Sequence, residues 1–233
     1  MLVGSMIIRN EADRYLQASL TRLLSVCDKV FVADDNSEDD SAAIAERLGA
    51  KVWKNNSTPF AKSEREFRQN AWNKMASMMR LKEGRDWVLS VDADEYVVGD
   101  KSKFQELIRQ ASHRTCFTLP IKEMWGVDQY RIDGFWDGNR NRRMGLYKKD
   151  MTFRNANFGC GSIPHHNHLA TELSEHMGIL HFGYADPEDR QKKYDFYKSL
   201  PNHGHNEKHI ESIIQTPKLQ RIKLDIDFYK GLK

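Results

Sequence analysis

The chain has 233 residues, of which 39% are hydrophobic and 30% are charged. This composition excludes a disordered chain, and the length fits one large domain with elaborations. The net charge of +3 is too small to indicate a nucleic-acid-binding protein by itself.

The cysteines and the apolar segments predict the cellular compartment. Cys27, Cys116 and Cys160 are widely spaced and no CxxC pair occurs, which disfavours a disulfide framework and a zinc knuckle. The apolar start of the chain is too short for a signal peptide, and no later run reaches the length of a spanning helix. A cytoplasmic protein without a transmembrane segment is therefore predicted.

Strand and helix patterns alternate along residues 1–91. Short apolar runs predict buried strands at residues 2–8, 30–33 and 87–91, with another strand beginning at Val52. Helices are predicted around residues 16–24, from Ser37 to Gly49 and over 63–81. Such alternation predicts the α/β class, with a mostly parallel central sheet flanked by helices.

The pattern becomes irregular after residue 95. A helix is predicted over residues 101–111 and a strand over 115–119. Residues 122–165 are rich in Trp, Gly, Asn and Arg and are predicted to form loops and short strands. Residues 187–200 and part of the chain from Glu207 are predicted to be helical.

Carboxylates follow two of the predicted strands. Asp34 and Asp35 end the second strand, and Asp92, Asp94 and Glu95 follow the fourth. Ligands of parallel sheets bind outside the carboxyl ends of the strands. In an extended segment Asp92 and Asp94 point the same way, and they repel each other unless one is protonated or a cation lies between them. This pattern predicts a hard divalent ion, Mg²⁺ or Mn²⁺, and the alternative is an acidic turn in water.

Four motifs within residues 3–97 resemble those of a known family. Asp92-Ala93-Asp94 follows an apolar strand as a DxD motif does, and the other motifs are Asn10-Glu11, Asp34-Asp35-Asn36-Ser37 and residues 66–71. Together they resemble the DxD, RNE and DDGS segments and the arginine-bearing helix of glycosyltransferase family 2, whose members have the GT-A fold. The resemblance covers residues 3–97. Asn36 stands where the family often has glycine, and asparagine tolerates the same turn geometry.

The resemblance implies a reaction and the residues that carry it. It implies inverting transfer of a sugar from a nucleotide-diphosphate donor, with a UDP-sugar favoured, and dependence on Mn²⁺ or Mg²⁺. The residues expected to bind the nucleotide are Ser5, Arg9, Glu11, Asp34, Asp35, Arg68 and Asp92. The residues expected to hold the metal are Asp92, Asp94 and His181, the last resembling the late histidine of many GT-A enzymes. Glu95 is expected to support the acidic loop without touching the ion.

The resemblance also implies an organisation for the chain. Residues 1–233 are expected to form a single GT-A domain. Its nucleotide-sugar-binding half spans residues 1–97, its irregular acceptor-side half spans 98–200, and a C-terminal helical extension spans 201–233. The acceptor stays open among a glycan, a lipid-linked sugar, a protein and a modified DNA base.

The second half supplies the candidate general base. Inverting transfer needs one carboxylate to take the proton of the acceptor hydroxyl. Asp133 lies in a loop of aromatic residues and glycines and is the candidate, with Asp128 and Asp137 as rivals. A solvated loop aspartate is the alternative for each of the three.

Further polar clusters in this half have open roles. A basic run formed by Arg140, Arg142 and Arg143 is interpreted either as a diphosphate or anionic-acceptor site or as a solvated loop. The segment 181–197, with Arg190, Lys193 and Tyr194, is expected to close over the donor phosphates. A zinc site at His165, His166 and His168 is disfavoured because no fourth ligand stands at a familiar spacing.

Two other functions are weighed against glycosyl transfer. A nucleotidyltransferase also binds a nucleotide and a metal, but such enzymes commonly carry a glycine-rich loop after the first strand, and residues 8–11 lack glycine. A non-catalytic nucleotide-sugar-binding protein is disfavoured because both Asp92 and Asp94 are present.

Overall fold

The structure is a computed structural model that describes residues 1–111, 115–136, 140–156, 159–165, 171–172, 177–199 and 207–223. The strands are β1 (Leu2–Ile8), β2 (Lys29–Asp34), β3 (Lys51–Lys54), β4 (Trp87–Asp92), β5 (Glu95–Val98), β6 (Cys116–Glu123), β7 (Gln129–Arg131), β8 (Arg140–Leu146), β9 (Thr171–Glu172), β10 (Gly178–His181) and β11 (Leu219–Arg221). The helices are α1 (Leu16–Val26), α2 (Ser41–Arg47), α3 (Glu64–Met79), α4 (Lys101–Arg109), α5 (Pro187–Ser199) and α6 (Glu207–Ser212).

One large sheet organises the part of the chain that the structure describes. Its strand order is β3-β2-β1-β4-β8-β6-β10-β5, and β9 also pairs with β6. Strands β3, β2, β1 and β4 are parallel, whereas β8 runs antiparallel between β4 and β6. Ile8 pairs with Asp34 and Ile7 pairs with Asp92, so the carboxyl ends of β1, β2 and β4 meet at one edge.

Helices cover both faces of this sheet. The apolar side of α1 packs with Leu2 and Met6 of β1 in one core, while α3 packs with Val3 in the core of the opposite face. Successive residues of a strand point to opposite faces, which explains how β1 contributes to both cores. The predicted α/β class, with a mostly parallel sheet between helices, is confirmed.

The predicted start of α3 agrees with the structure, and a capping residue is present there. Ser63 caps α3 by accepting a hydrogen bond from the Glu66 amide at 3.3 Å. The expected helix start at Ser37 is wrong, because α2 begins at Ser41 and the Ser37 hydroxyl donates to Asp34 instead, at 2.5 Å. Asn36 has the positive φ of 59° that the expected turn requires.

Other predictions on organisation have different outcomes. No helix in the described ranges is long and apolar enough to cross a membrane. All three cysteines are free and buried. The divisions at residues 97 and 200 and the cellular compartment stay predictions, and residues 200–206 and 224–233 lie outside the described residues.

Asp28 links the start of β1 to Lys101 of α4. Its carboxylate accepts a hydrogen bond from the Leu2 amide at 2.9 Å and pairs with Lys101 at 2.8 Å. Burial acts to raise the pKa of Asp28, but the bonds from Lys101 and Leu2 outweigh it and lower the pKa. A lowered folded-state pKa stabilises the protein above the ordinary carboxyl pKa of about 4, and this stabilisation is lost as the pH falls through the folded-state value.

We expect Asp28→Asn to lower the free energy of unfolding at pH 7, because the neutral amide weakens the pairing with Lys101. The difference from the unsubstituted protein should shrink as the pH falls below about 4. Urea denaturation at a series of pH values measures both free energies. A difference that stays constant down to acid pH would contradict this account.

Candidate active site

The acidic cluster after β4 forms a turn. β4 ends at Asp92 and β5 begins at Glu95, so Ala93 and Asp94 lie in a turn and the extended geometry expected from the sequence is wrong. The Asp94 carbonyl accepts a hydrogen bond from the Phe182 amide at 2.8 Å. This bond joins the turn to the segment that follows β10. As a result, Asp92 and Asp94 face different sets of neighbours.

Asp92 faces two arginines. Its carboxylate oxygens lie 3.5 Å from an Arg68 nitrogen and 3.6 Å from an Arg143 nitrogen. Burial acts to raise the pKa of Asp92, but the two guanidinium groups outweigh it and lower the pKa. Arg68 reaches this position from α3, where Glu64 accepts its Nε hydrogen bond at 2.7 Å. Asp92, Arg68 and Glu64 line a cavity of about 530 Å³.

Glu95 contacts both Asp92 and Arg143 and holds them in position. Its carboxylate accepts the Asp92 amide hydrogen bond at 2.9 Å and pairs with Arg143. Burial raises the pKa of Glu95 to about 7 against the opposing effect of Arg143. Arg143 also donates to the Ser162 hydroxyl, so it links the acidic turn to the loop that lines the cavity. The expected supporting role of Glu95 agrees with these contacts.

Asp94 faces a histidine instead. Its Oδ2 lies 3.4 Å from Nε2 of His181, and Nδ1 of His181 lies 2.5 Å from a Glu123 carboxylate oxygen. Burial acts to raise the pKa of Asp94, but His181 outweighs it and the pKa falls. Burial acts in the opposite sense on His181, and its two carboxylate neighbours raise the histidine pKa well above its usual value.

Gly183 packs closely against this pair, and the space at Gly183 is the position that its missing side chain would occupy. A Cβ atom at Gly183 would lie 2.6 Å from Nε2 of His181 and 2.7 Å from Oδ2 of Asp94. It would also lie 2.5 Å from Nζ of Lys193, which comes from α5. A carboxylate, an imidazole and an ammonium group can approach this position so closely only because residue 183 has no side chain.

Arg14 links the loop after β1 to α5. Arg14 pairs with Glu11 at 3.1 Å and with Asp189 of α5 at 2.7 Å. Burial raises the pKa of Glu11 to about 7. Arg190, which was expected near the donor phosphates, instead donates to the carbonyl oxygens of Tyr184 and Ala185. Of the predicted covering residues, Lys193 is the one whose charged end borders the space at Gly183.

The acids after β2 are held by contacts within the protein. Asp34 accepts hydrogen bonds from the amide and hydroxyl of Ser37. Asp35 accepts hydrogen bonds from Asn55 at 3.1 Å, the Phe60 amide at 3.0 Å and Arg9 at 3.3 Å. Both aspartates are 1% exposed, whereas the Arg9 side chain is 49% exposed. Of Asp34, Asp35 and Arg9, only Arg9 is therefore exposed to solvent.

Ser5 lies away from the edge that carries these groups. It pairs with Phe31 and Ser90 in the middle of the sheet, three residues before β1 ends at Ile8. Its predicted contact with the nucleotide stays a prediction. The structure does not bring it together with the acidic groups at the strand ends.

Asp133 also lies outside the group around Asp92 and Asp94. Its carboxylate accepts hydrogen bonds from Arg131 and from the Lys218 amide, and it lines a separate pocket with residues of α6. Burial acts to raise the pKa of Asp133, but these hydrogen bonds outweigh it and lower the pKa. A carboxylate with a lowered pKa accepts a proton less readily. The geometry therefore gives no support to Asp133 as the general base.

The aromatic residues around Asp133 form a packed cluster. The guanidinium group of Arg131 lies 4.6 Å from the Trp125 ring centroid and 5.0 Å from that of Trp136. Trp136 donates a hydrogen bond to the Ser212 hydroxyl of α6 at 2.8 Å. The aromatic and glycine-rich sequence therefore serves packing against α6.

The remaining sequence candidates are only partly described. Asp128 lies 4.0 Å from Arg221, and His165 lines the cavity beside Asp92. Asp137, His166 and His168 lie outside the described residues, as do the side chains of Arg140 and Arg142.

The metal ligands predicted from the sequence are not grouped as a set of three. Within the described ranges, no three His, Cys, Asp or Glu side chains are close enough to hold a metal ion. The reason is that Asp92 faces Arg68 and Arg143, while Asp94 faces His181. Asp94 and His181 still form a pair of one oxygen and one nitrogen ligand, with Glu123 behind the histidine as a typical outer-shell carboxylate.

Sequence reasoning missed two residues of this site, Glu123 and Gly183, and left the role of a third, Arg143, open. Glu123 ends β6 and so carries the same signal, a carboxylate at a strand end, that identified Asp92. Arg143 appeared only as part of a basic run, and Gly183 carried no signal. The contacts of Arg143 and Gly183 depend on strands and loops that are distant in sequence.

Comparisons with known proteins agree with the motifs. The family described as Glycosyl transferase family 2 matches residues 5–169, more than half of the chain. Two curated relatives, each described as an uncharacterized glycosyltransferase, come from Rickettsia felis and Rickettsia conorii. Each is 34% identical over 92 residues, which is 38% of this chain and 27% of the relative. The match thus spans about a quarter of the length of these relatives.

Solved structures share a more distant likeness. A 4-diphosphocytidyl-2C-methyl-D-erythritol synthase has a TM-score of 0.39 and 16% identity, covering 62% of this chain and 73% of the other. A glucosyl-3-phosphoglycerate synthase from Mycobacterium tuberculosis, in complex with Mg²⁺ and uridine-diphosphate, has a TM-score of 0.36 and 16% identity. That match covers 53% of this chain and 43% of the other.

Proposed function

The chain belongs to glycosyl transferase family 2, and we propose that it moves a sugar from a nucleotide-diphosphate donor, with UDP favoured, to an acceptor hydroxyl. We propose further that the transfer inverts the anomeric centre and depends on Mn²⁺ or Mg²⁺. Sugar transfer follows from the family. The donor, the stereochemistry and the metal are our proposals.

One observation supports the proposed dependence on a metal ion. Asp94, His181 and Glu123 form a chain of close contacts beside the space at Gly183. An anionic oxygen and an imidazole nitrogen suit a divalent ion that keeps other positions for phosphate oxygens. When bound there, such an ion would neutralise the charge that develops on the leaving nucleoside diphosphate.

Other residues of the chain orient the metal ligand and bind the nucleotide. Glu123, by accepting the Nδ1 hydrogen bond, keeps a proton on Nδ1 of His181, and a divalent ion would replace the proton on Nε2. Arg68 and Arg143 keep Asp92 ionised and oriented, so that it accepts hydrogen bonds from the donor ribose. Arg9, exposed at the end of β1, is available to a nucleotide at the same edge.

The general base stays open. Asp133 remains the candidate from the sequence, although its carboxylate is paired and its pKa is lowered. A test of Asp133→Asn is therefore informative. Retention of full transfer activity would exclude Asp133 as the base.

A panel of sugar nucleotides tests the proposed function. UDP-, GDP- and dTDP-sugars are incubated with the protein and Mn²⁺, and release of the nucleoside diphosphate is measured. We expect release from at least one donor, and we expect EDTA to suppress it. No release from any donor, together with no binding of any sugar nucleotide by calorimetry, would overturn the proposal.

Glu123→Gln tests the support of the histidine. The amide keeps the size of the side chain but removes the charge that orients His181, so metal-dependent nucleotide binding should weaken about 10- to 100-fold. Titration calorimetry in the presence of Mn²⁺ measures the change. Circular dichroism controls for the fold. Unchanged affinity would show that Glu123 has no part in the site.

A further inference from the structure

The charged end of Lys193 meets the candidate metal ligands. A Cβ atom at Gly183 would lie within 2.7 Å of Lys193 Nζ, His181 Nε2 and Asp94 Oδ2 at once. These three atoms therefore converge on the same position beside Gly183. The Lys193 ammonium also lies 4.4 Å from the centroid of the Tyr184 ring, which fixes its direction.

The charge on Lys193 contacts the Tyr184 ring and acts over a longer distance to lower the pKa of Asp94 and of Glu11. Several nearby lysines and arginines form ion pairs, including Arg14 with Glu11 and Asp189, and Lys198 with Glu211. No such pair involves Lys193 within the described ranges. A lysine that borders a site without an ion-pair partner is suited to bind an anion from outside the protein.

α5 is held in the position that makes this possible. Asp189 lies one helical turn before Lys193, and its 2.7 Å ion pair with Arg14 attaches α5 to the loop after β1. Residues four apart lie on the same face of a helix, so the ion pair and the Lys193 side chain are on one face. The attachment therefore positions Lys193 over the ends of the parallel strands.

We infer that Lys193 binds the diphosphate of the donor directly, beside the metal ion, and that the Arg14–Asp189 pair positions it. A diphosphate has more negative charge than one divalent ion neutralises, and an ammonium group binds phosphate as a compact point charge. The acceptor oxygen forms a bond to the anomeric carbon and gives its proton to the general base, while the carbon–oxygen bond to the diphosphate breaks with both electrons on the diphosphate oxygen. Lys193 stabilises that leaving group. This inference rests on the proposed function.

Inorganic pyrophosphate with Mn²⁺ is the probe that isolates this contact, because it lacks both nucleoside and sugar. We expect Lys193→Met to weaken pyrophosphate binding about 10- to 100-fold in titration calorimetry, which is the usual effect of losing a hydrogen bond to a charged group. Lys193→Arg should retain part of the affinity. Binding of inorganic phosphate should change less in each variant.

Lys192→Met is the matched control. Lys192 precedes Lys193 in α5 and its side chain is 73% exposed. It lies 3.7 Å from Asp189, whose closer partner at 2.7 Å is Arg14, so its removal should leave pyrophosphate affinity within about twofold of its original value. Asp189→Asn tests the positioning role. It should weaken pyrophosphate binding less than Lys193→Met does, and it should add little when combined with Lys193→Met.

Two results would overturn the inference. One is equal pyrophosphate affinity in Lys193→Met and the unsubstituted protein, and the other is no pyrophosphate binding by the unsubstituted protein. Failure of the proposed function gives a different pattern. In that case pyrophosphate binds with Mn²⁺ and depends on Lys193, but no sugar nucleotide is bound or cleaved.

Discussion

Replacing Asp94 with asparagine is expected to abolish metal-dependent binding of the sugar nucleotide and to reduce transfer at least about 100-fold. Asparagine keeps the size of the side chain but removes the anionic oxygen that faces His181. The fold should be retained, because the contact that anchors the turn is the Asp94 main-chain carbonyl, which accepts the Phe182 amide hydrogen bond. Calorimetry with Mn²⁺ and initial-rate assays measure the two effects.

Asp13→Asn is the matched control for this variant. Asp13 is an exposed aspartate in the loop after β1, so its replacement makes the same chemical change outside the site. We expect it to leave nucleotide affinity and the transfer rate within about twofold of their original values. If Asp94→Asn keeps its Mn²⁺-dependent affinity, or if both variants lose it equally, the assignment of Asp94 is wrong.

Replacing Gly183 with alanine is expected to have a similarly large effect on function. The added methyl group would lie 2.6 Å from Nε2 of His181 and 2.7 Å from Oδ2 of Asp94, so these atoms must separate or the methyl group fills the space between them. The side-chain end of Lys193 moves aside at little cost. We therefore expect a small change in the free energy of unfolding and a loss of metal-dependent binding of about 100-fold or more.

Gly178→Ala separates this effect from general crowding. At Gly178 an added Cβ atom would lie 2.7 Å from the main-chain oxygen of Pro120, where the backbone of β6 cannot move aside easily. We expect that variant to lose about 1–3 kcal/mol of unfolding free energy. Gly183→Ala should lose much less. Urea denaturation of both variants, with calorimetry of any that fold, distinguishes the two outcomes.

An alanine variant at residue 183 that binds metal and nucleotide normally would contradict the account of this space. So would a Gly183→Ala protein that fails to fold while Gly178→Ala folds well. In either case the close approach of Gly183 to Asp94 and His181 would have no functional meaning. The proposed role of His181 would then require another test, such as His181→Asn.

The first half of the fold was predictable because it is built from local signals. Apolar runs and helical spacing gave the strands and helices of residues 1–91, and β1, β2, β3 and β4 are parallel as alternation requires. The acidic groups after β2 and β4 were predictable for the same reason, since parallel strands end at one edge. The sequence also predicts Asp94 and His181 as site residues, and their side chains lie 3.4 Å apart.

The geometry of the site was less predictable because it depends on turns and on distant segments. Ala93 and Asp94 form a turn, so Asp92 and Asp94 face different neighbours instead of one point. Glu123 meets His181 through the pairing of β6 with β10, 58 residues apart in the chain. Nothing local in the sequence encodes that pairing.

The aromatic segment around Asp133 fits two different structures, and the reason is chemical. Aromatic rings, glycines and acids occur both in sugar-binding loops and in packed clusters with a cation at the centre. Around Arg131 the rings of Trp125 and Trp136 pack with α6, and Asp133 pairs with the arginine. Composition alone does not separate these two arrangements.

We propose that a divalent ion held at Asp94 and His181 binds the diphosphate of a sugar nucleotide. The most direct test is calorimetric titration of the protein with the nucleoside diphosphate whose sugar donor is cleaved in the panel. The titration is run once with Mn²⁺ and once with EDTA. The account predicts binding with Mn²⁺ and affinity at least about tenfold weaker with EDTA. Equal affinity in the two titrations would contradict it.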